Sequence, residues 1–302
     1  MIPEELARCR LEMHGDDGAA WLARLPGIVA GCSARWSLEV AEVLPHLSYN
    51  YVAPVARADG SAAVLKVCYL DHEFYTEAEA LRLYDGRGCA RLLAADLEQG
   101  ALLLERVLPG TPLSAVSDEE EVAAIAAAVM RRLWRPAPVG HGFPTVDDWV
   151  MGMAQGAPAL RATGRAFPWH MLDRAVDLYQ ELATSTGAAM LLHGDLHQGN
   201  ILAAGREPWL AIDPKGIVGP SIWETGPLLL NAIADDTTTG DARRILSRMV
   251  ARLAETLGFD RDALRAWGVV RAVLAAYWTV EDHGQAWEGA LQCARILGEA
   301  SA

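Results

Sequence analysis

The chain has 302 residues, with 26 basic and 39 acidic side chains and a formal net charge of −13. Hydrophobic residues make up 52% and charged residues 22%, a mixture that buries a sizeable core and excludes disorder over most of the length. The acidic balance argues against a nucleic-acid polymer or an anionic membrane as partner, since phosphate contacts need clustered Lys and Arg; it suits a cationic small molecule, and equally a merely soluble protein.

Residues 4–32 read as helical, with Trp21, Leu22, Leu25 and Ile28 at three- and four-residue steps. The opening Met1-Ile-Pro-Glu-Glu is acidic where a secretory leader would be basic and then apolar. From Trp36 the period shortens, and residues 38–43, 51–55 and 63–67 read as strands. Asp59-Gly60 marks a hairpin, because Gly tolerates the positive φ of a primed turn. A helix over 73–84 stops at Asp85-Gly86, and residues 91–95 and 102–107 add two strands. Leu108-Pro-Gly-Thr-Pro112 then breaks the pattern, which divides the chain into residues 1–107 and 108–302.

Beyond that break the periodicity is helical, over 118–133, 147–155, 170–184, 241–257, 262–280 and 286–297. One β-type interruption runs from Leu191 to Ile212. The fold class is α+β, an antiparallel sheet part followed by a helical part. The apolar run over 122–130 is far short of the ~20 residues a membrane span needs. The five scattered cysteines contain no C-x-x-C pair, so neither a zinc knuckle nor a disulfide framework is supported. A reduced, soluble, cytoplasmic protein is expected.

The chemistry concentrates in Leu191-Leu-His-Gly-Asp-Leu-His-Gln-Gly-Asn-Ile-Leu202 and Leu210-Ala-Ile-Asp-Pro-Lys215. Apolar pairs flank a loop carrying Asp195 and Asn200 five residues apart, and Asp213 ends a second apolar run. Phosphoryl transfer needs this set: one carboxylate for the attacking hydroxyl, and a second carboxylate with a neutral amide oxygen for magnesium. The bland alternative, capping or ion-pair residues, does not explain why two apolar strand ends deliver Asp, Asn and Asp. Lys66 lies inside the apolar strand Ala62-Ala-Val-Leu-Lys-Val67, where a lone charge needs a partner or a phosphate. Glu77, on a helical face with Phe74, Leu81 and Tyr84, points toward the sheet and is the better partner than Glu79.

His193-Gly-Asp-Leu-His-x-Gly-Asn200 with Ile212-Asp-Pro214 resembles the catalytic and metal segments of the aminoglycoside phosphotransferases, relatives of the protein kinases. Glu77-Ala-Glu-Ala-Leu-Arg-Leu-Tyr-Asp-Gly-Arg-Gly88, Leu103-Leu-Leu-Glu-Arg106 and Trp209-Leu-Ala-Ile-Asp-Pro-Lys-Gly216 are similar to the aminoglycoside 6-phosphotransferase/hydroxyurea phosphotransferase family. The likeness runs from about Trp21 to Leu297. It implies a protein-kinase-like two-lobe fold: a five-stranded antiparallel sheet with one helix and a helical N-terminal extension, then a mainly helical lobe. It implies ATP and Mg2+ as cofactors, Asp195 as catalytic base, and Asn200 and Asp213 as metal ligands. Lys66, paired with Glu77, would contact the α- and β-phosphates. Backbone groups around Glu105 to Val107 would read adenine, sandwiched by Val52, Val64 and Leu202.

Two departures from the protein-kinase pattern matter. The first hairpin, His46-Leu-Ser-Tyr-Asn50, lacks a Gly-rich loop, so Ser48 is the expected phosphate contact. Asp213-Pro214 replaces D-F-G, so no Phe switch follows. His193 and His197 are expected to brace the loop.

Acceptor binding is expected from Glu224, Trp278, Glu281 and Asp282, with Asp147, Asp148, Asp235, Asp236, Trp223 and Trp287 as further candidates. Carboxylates beside aromatic faces hold guanidinium or ammonium groups. The expected activity is phosphorylation of an aminoglycoside hydroxyl, that of streptomycin first. Hydroxyurea, another metabolite, or nucleotide binding without catalysis are the competing readings.

Overall fold

The structure is a computed structural model that describes residues 2–41, 49–184, 187–233 and 237–299. Its contacts divide the chain into two compact units, Met1–Gly110 and Thr111–Ala302.

The first unit opens with α1 (Glu4–Trp36), kinked at Gly15, whose φ of +51° only a residue without Cβ adopts cheaply. The stripe Leu6, Trp21, Leu25, Ile28 and Cys32 buries against Tyr51, Ala53, Val55, Ala63, Leu65 and Val67 of the sheet. That sheet comprises β1 (Leu38–Val40), β2 (Tyr51–Arg57), β3 (Ala62–Val67), β4 (Leu92–Asp96) and β5 (Ala101–Glu105), in the order β1-β2-β3-β5-β4. Every pairing is antiparallel, so the five-stranded sheet expected from the sequence is present. Between β3 and β4 lies α2 (His72–Tyr84), whose N-cap Asp71 accepts from the Phe74 amide at 2.9 Å. The strand expected over 38–43 ends at Val40, and Ser48 lies outside the described residues.

At the break the sequence marked, Pro109–Pro112 forms a short strand, β6. The second unit is mainly helical: α3 (Glu119–Leu133), α4 (Val146–Ala162), α5 (Trp169–Ala183), α6 (Thr225–Leu230), α7 (Thr239–Leu257), α8 (Arg261–His283) and α9 (Glu288–Glu299). The side chains of Asp118, Thr145, Thr238 and Asp260 cap α3, α4, α7 and α8. Every residue of α8 from Trp267 to Tyr277 is buried, because α5, α6, α7 and α9 pack around it. Among the described residues no helix is long and apolar enough to cross a membrane.

Short strands set into this helical unit carry the loops of interest. They are β7 (Arg135–Pro136), β8 (Met190–Leu192), β9 (Ile201–Ala204), β10 (Trp209–Ala211) and β11 (Ile217–Gly219). β9 and β10 form an antiparallel hairpin, and β8 lies between β7 and β11. Four of these elements depart from the periodicity reading: β7 and β11 lie outside the β-type interruption expected over 191–212, and α4 and α6 differ as well. α4 continues past residue 155 through Pro158, because Ala157 and Leu160 on its buried face hold it. α6 is too short, and too rich in Gly and Pro at its start, to show a period.

Candidate active site

In the first unit, Lys66 sits on a strand flanked on both sides, opposite Val52 of β2 and Leu102 of β5. Its ammonium donates to both carboxylate oxygens of Glu77 at 2.6 and 2.7 Å, and each side chain is only 6% exposed. Two buried charges at this distance satisfy one another; neither would persist alone. Glu79 pairs instead with Arg82 on the exposed face of α2. At the end of β5, the Glu105 N–H donates to the Arg91 carbonyl at 2.9 Å, and its carboxylate accepts from the Arg91 N–H at 3.0 Å. The Glu105 side chain therefore braces the chain as it enters β4, and Val107 is buried.

In the second unit, β8 and β9 suspend the loop 193–200, and β10 and β11 suspend 212–216. The two loops are fastened to each other. The Lys215 and Gly216 amides donate to the His193 carbonyl at 2.8 and 3.2 Å, and the Ile212 amide donates to the Asn200 carbonyl at 2.9 Å. The His193 ring is fully buried between them. Its Nδ1 accepts from the Asp195 amide at 3.3 Å, which leaves Nε2 to carry the proton donated to the Ile212 carbonyl at 2.8 Å. Burial pushes the His193 pKa down to about 4, so this ring is neutral and holds backbone rather than titrating near pH 7. His197 accepts from the Gly199 amide at 3.0 Å, the bracing role expected of it.

Asp195 is about a quarter exposed, with Oδ2 4.0 Å from His197 Nε2. The Asn200 side-chain nitrogen donates to the Asp195 carbonyl at 3.0 Å, which orients the amide and leaves its oxygen as the atom that could ligate a cation. Asp213 is exposed at a φ of +62°, a left-handed position that Asp tolerates better than most residues. A neutral oxygen and a carboxylate on two fastened loops fit a hard cation that completes its shell with water and phosphate oxygens. Among the described residues no cluster of three His, Cys, Asp or Glu could hold a metal by itself.

The model of the aminoglycoside/hydroxyurea antibiotic resistance kinases matches residues 35–283. The chain belongs to this kinase family. It is 38% identical over 286 residues to a hydroxyurea phosphotransferase of Kitasatospora aureofaciens, covering 93% of this chain and 81% of that one. It is 34% identical over 282 residues to the streptomycin 6-kinase of Streptomyces griseus, covering 93% and 91%. Solved structures share its protein-kinase-like fold. Choline kinase LicA from Streptococcus pneumoniae matches with a TM-score of 0.62 at 12% identity, covering 92% of this chain and all of that one. A macrolide 2'-phosphotransferase type I matches at 0.54 with 14% identity, covering 90% and 96%.

The acceptor candidates of this kinase fall into different settings. Glu224 is not a surface carboxylate for an acceptor: it is wholly buried, and its two oxygens accept the His193 and Gly194 amides at 2.7 and 2.9 Å. Burial raises its pKa to about 7 against the pull of those two N–H groups. Asp148 is committed to a capping box with Thr145, Asp147 accepts from the Tyr179 hydroxyl at 2.9 Å, and Trp223 is core. Asp235 and Asp236 lie outside the described residues. Glu281 is exposed but accepts from the Tyr277 hydroxyl at 2.8 Å, and Asp282 is exposed in the last turn of α8. Trp278 is half-buried, edge-on to Trp149 with ring centroids 5.1 Å apart, and lies beneath the guanidinium of Arg271 at 5.3 Å.

Arg271 is the residue the sequence reading passed over. It stands in the apolar run Trp267-Gly-Val-Val-Arg-Ala-Val-Leu274, the same signal that singled out Lys66.

Proposed function

We propose that the chain is an ATP- and magnesium-dependent kinase that transfers the γ-phosphoryl group to a hydroxyl of streptomycin. The observation that carries this reading is the fastened pair of loops presenting Asp195, Asn200 and Asp213, set in a member of the antibiotic resistance kinase family. The 34% identity to streptomycin 6-kinases of two Streptomyces species supports the acceptor. In this reading Asp195 takes the proton of the attacking hydroxyl. Asn200 and Asp213 would hold magnesium, which when bound neutralises charge on the nucleotide phosphates.

The first unit is the nucleotide lobe in this reading. Lys66, steadied by Glu77, contacts the α- and β-phosphates, and backbone groups from Glu105 to Val107 take the adenine edge. Ser48 is a proposed phosphate contact. A neighbour in fold, LicA, was solved in complex with AMP, which supports an adenine nucleotide. The second unit carries the catalytic loop and the acceptor site, for which Trp278, Glu281 and Asp282 are the proposed contacts. The enzyme acts in the cytoplasm, where ATP is available, and needs neither a nucleic acid nor a membrane.

Hydroxyurea is the second reading of the acceptor, favoured by the 38% identity to a hydroxyurea phosphotransferase. ADP release measured with each compound separates them. Streptomycin-dependent, magnesium-dependent ADP formation is expected. Turnover with hydroxyurea alone replaces the acceptor, and no ADP with either compound overturns both readings.

A further inference from the structure

A buried arginine is costly unless its charge and donors are met. Arg271 is 4% exposed in the middle of α8, and burial lowers its pKa from the usual arginine range. Its Nη2 lies 3.5 Å from Asp195 Oδ1, an ion pair longer than a good guanidinium–carboxylate hydrogen bond. Its Nε and Nη1 find no hydrogen-bond partner among the described residues. Glu224, which holds the backbone of the same loop, is the other acidic group whose field reaches it. Below the guanidinium lies the Trp278 ring.

The fold makes room for this placement. A Cβ on Gly226 of α6 would stand 2.7 Å from both Cβ and Cγ of Arg271, so only glycine there lets the arginine stem lie against α6. An under-satisfied buried charge with a glycine cleared beside it is poor material for stability alone. A Met or Leu would fill the same space without a desolvation cost.

We propose that Arg271 is a positioning residue for phosphoryl transfer: its guanidinium, over the Trp278 ring and with its stem seated against Gly226, holds the Asp195 carboxylate in its reactive orientation and balances the negative charge of Asp195 and Glu224 beneath the catalytic loop. This rests on the reading of Asp195 as the base. Planarity matters as well as charge, because guanidinium lies flat on an aromatic face while directing N–H groups sideways at a carboxylate. Trp278 is then a support for Arg271 as well as a proposed acceptor contact.

The test is a double-mutant cycle. R271M and R271K are made alone and with D195N, and kcat, KM for ATP and Tm are measured with whichever of streptomycin or hydroxyurea supports turnover. R271M should lose about tenfold or more in kcat with KM for ATP within about twofold, as expected for a misplaced catalytic group. R271K, which keeps the charge but not the fork, should fall between R271M and the parent. In the D195N background both substitutions should change the residual kcat by less than about twofold, because the group they position is gone.

Losses that multiply in the double variants would show Arg271 acting apart from Asp195 and overturn the proposal, as would parental kcat in R271M. If R271M yields no folded enzyme, the R271K cycle decides on the same coupling, since Lys keeps the buried charge paired. A D195N enzyme with parental kcat is a different failure, that of the base assignment itself.

Discussion

The side-chain amide of Asn200 donates to the backbone carbonyl of Asp195 at 3.0 Å, so the residue proposed as metal ligand is tied to the residue proposed as base. The bond fixes which end of the amide faces outward. Asn200→Ala should therefore weaken magnesium-dependent turnover and also loosen the loop at Asp195. Asp213→Ala should do more, abolishing both turnover and the rise in Tm that Mg-ATP produces, because water replaces a neutral ligand more easily than a charge. Intact Mg-ATP stabilisation of D213A in a thermal shift assay would remove Asp213 from the metal site.

Asp195→Asn preserves shape but removes the proton acceptor. Turnover should fall by roughly 10²-fold or more, the range for loss of a general base, while KM for ATP changes little. Steady-state kinetics reads both numbers. A fall confined to KM would assign Asp195 to binding instead.

The Lys66–Glu77 pair allows stability to be separated from nucleotide binding. Glu77→Ala leaves the lysine charge buried without its bidentate carboxylate, and should cost about 3–5 kcal/mol of stability in the first unit. Replacing both, K66M with E77L, should return most of the Tm, since an apolar pair of similar volume needs no desolvation. ATP affinity should stay lost in the double variant. Recovered ATP binding, followed by titration calorimetry, would leave the pair a purely structural role.

Two buried groups at the loop 193–200 titrate with opposite sign. His193 has its folded pKa depressed to about 4 from 6.5, so its contribution to stability is present above pH 6.5 and lost as pH falls toward 4. Glu224 has its folded pKa raised to about 7 from 4.5, so its contribution is present below pH 4.5 and lost as pH rises toward 7. Between pH 4.5 and 6.5 the two slopes offset. Glu224→Gln should unmask the histidine, giving a Tm that climbs with pH across that window more steeply than in the parent. A pH–Tm series in which the two proteins run parallel would contradict the Glu224 value.

A polycationic acceptor held by exposed carboxylates should bind less well as salt is added, since such pairs are screened beyond ~8 Å at physiological ionic strength. Neutralising Glu281 and Asp282 together, E281Q with D282N, should raise KM for streptomycin more than KM for ATP, because binding is lost without touching the transferring group. Glu281 already accepts the Tyr277 hydroxyl, so a small loss in Tm is expected as well. A streptomycin KM that is flat in salt would sink the ionic part of the acceptor reading and leave the phosphoryl-transfer site untouched.

What the sequence by itself determined is local in the chain. Hydrophobic period separated the strands around Lys66 from the helices that follow, and Asp59-Gly60, Asp85-Gly86 and Leu108–Pro112 marked the breaks between elements. Asp195 and Asn200 were legible because one loop carries both, and Lys66 because a charge inside an apolar strand demands a partner. The tertiary structure alone decided which polar groups meet beneath that loop. Glu224 read as a surface carboxylate, yet packing sealed it and turned both oxygens onto the His193 and Gly194 amides. Arg271 read as one more residue of a long helix, yet α8 is enclosed on all sides and brings it to Asp195. Periodicity reports which face of an element is buried; it carries no information on what another element, far along the chain, places opposite. The charge pairing at the centre of this site is set by that second fact, because desolvation and Coulomb attraction act between neighbours in space rather than in sequence.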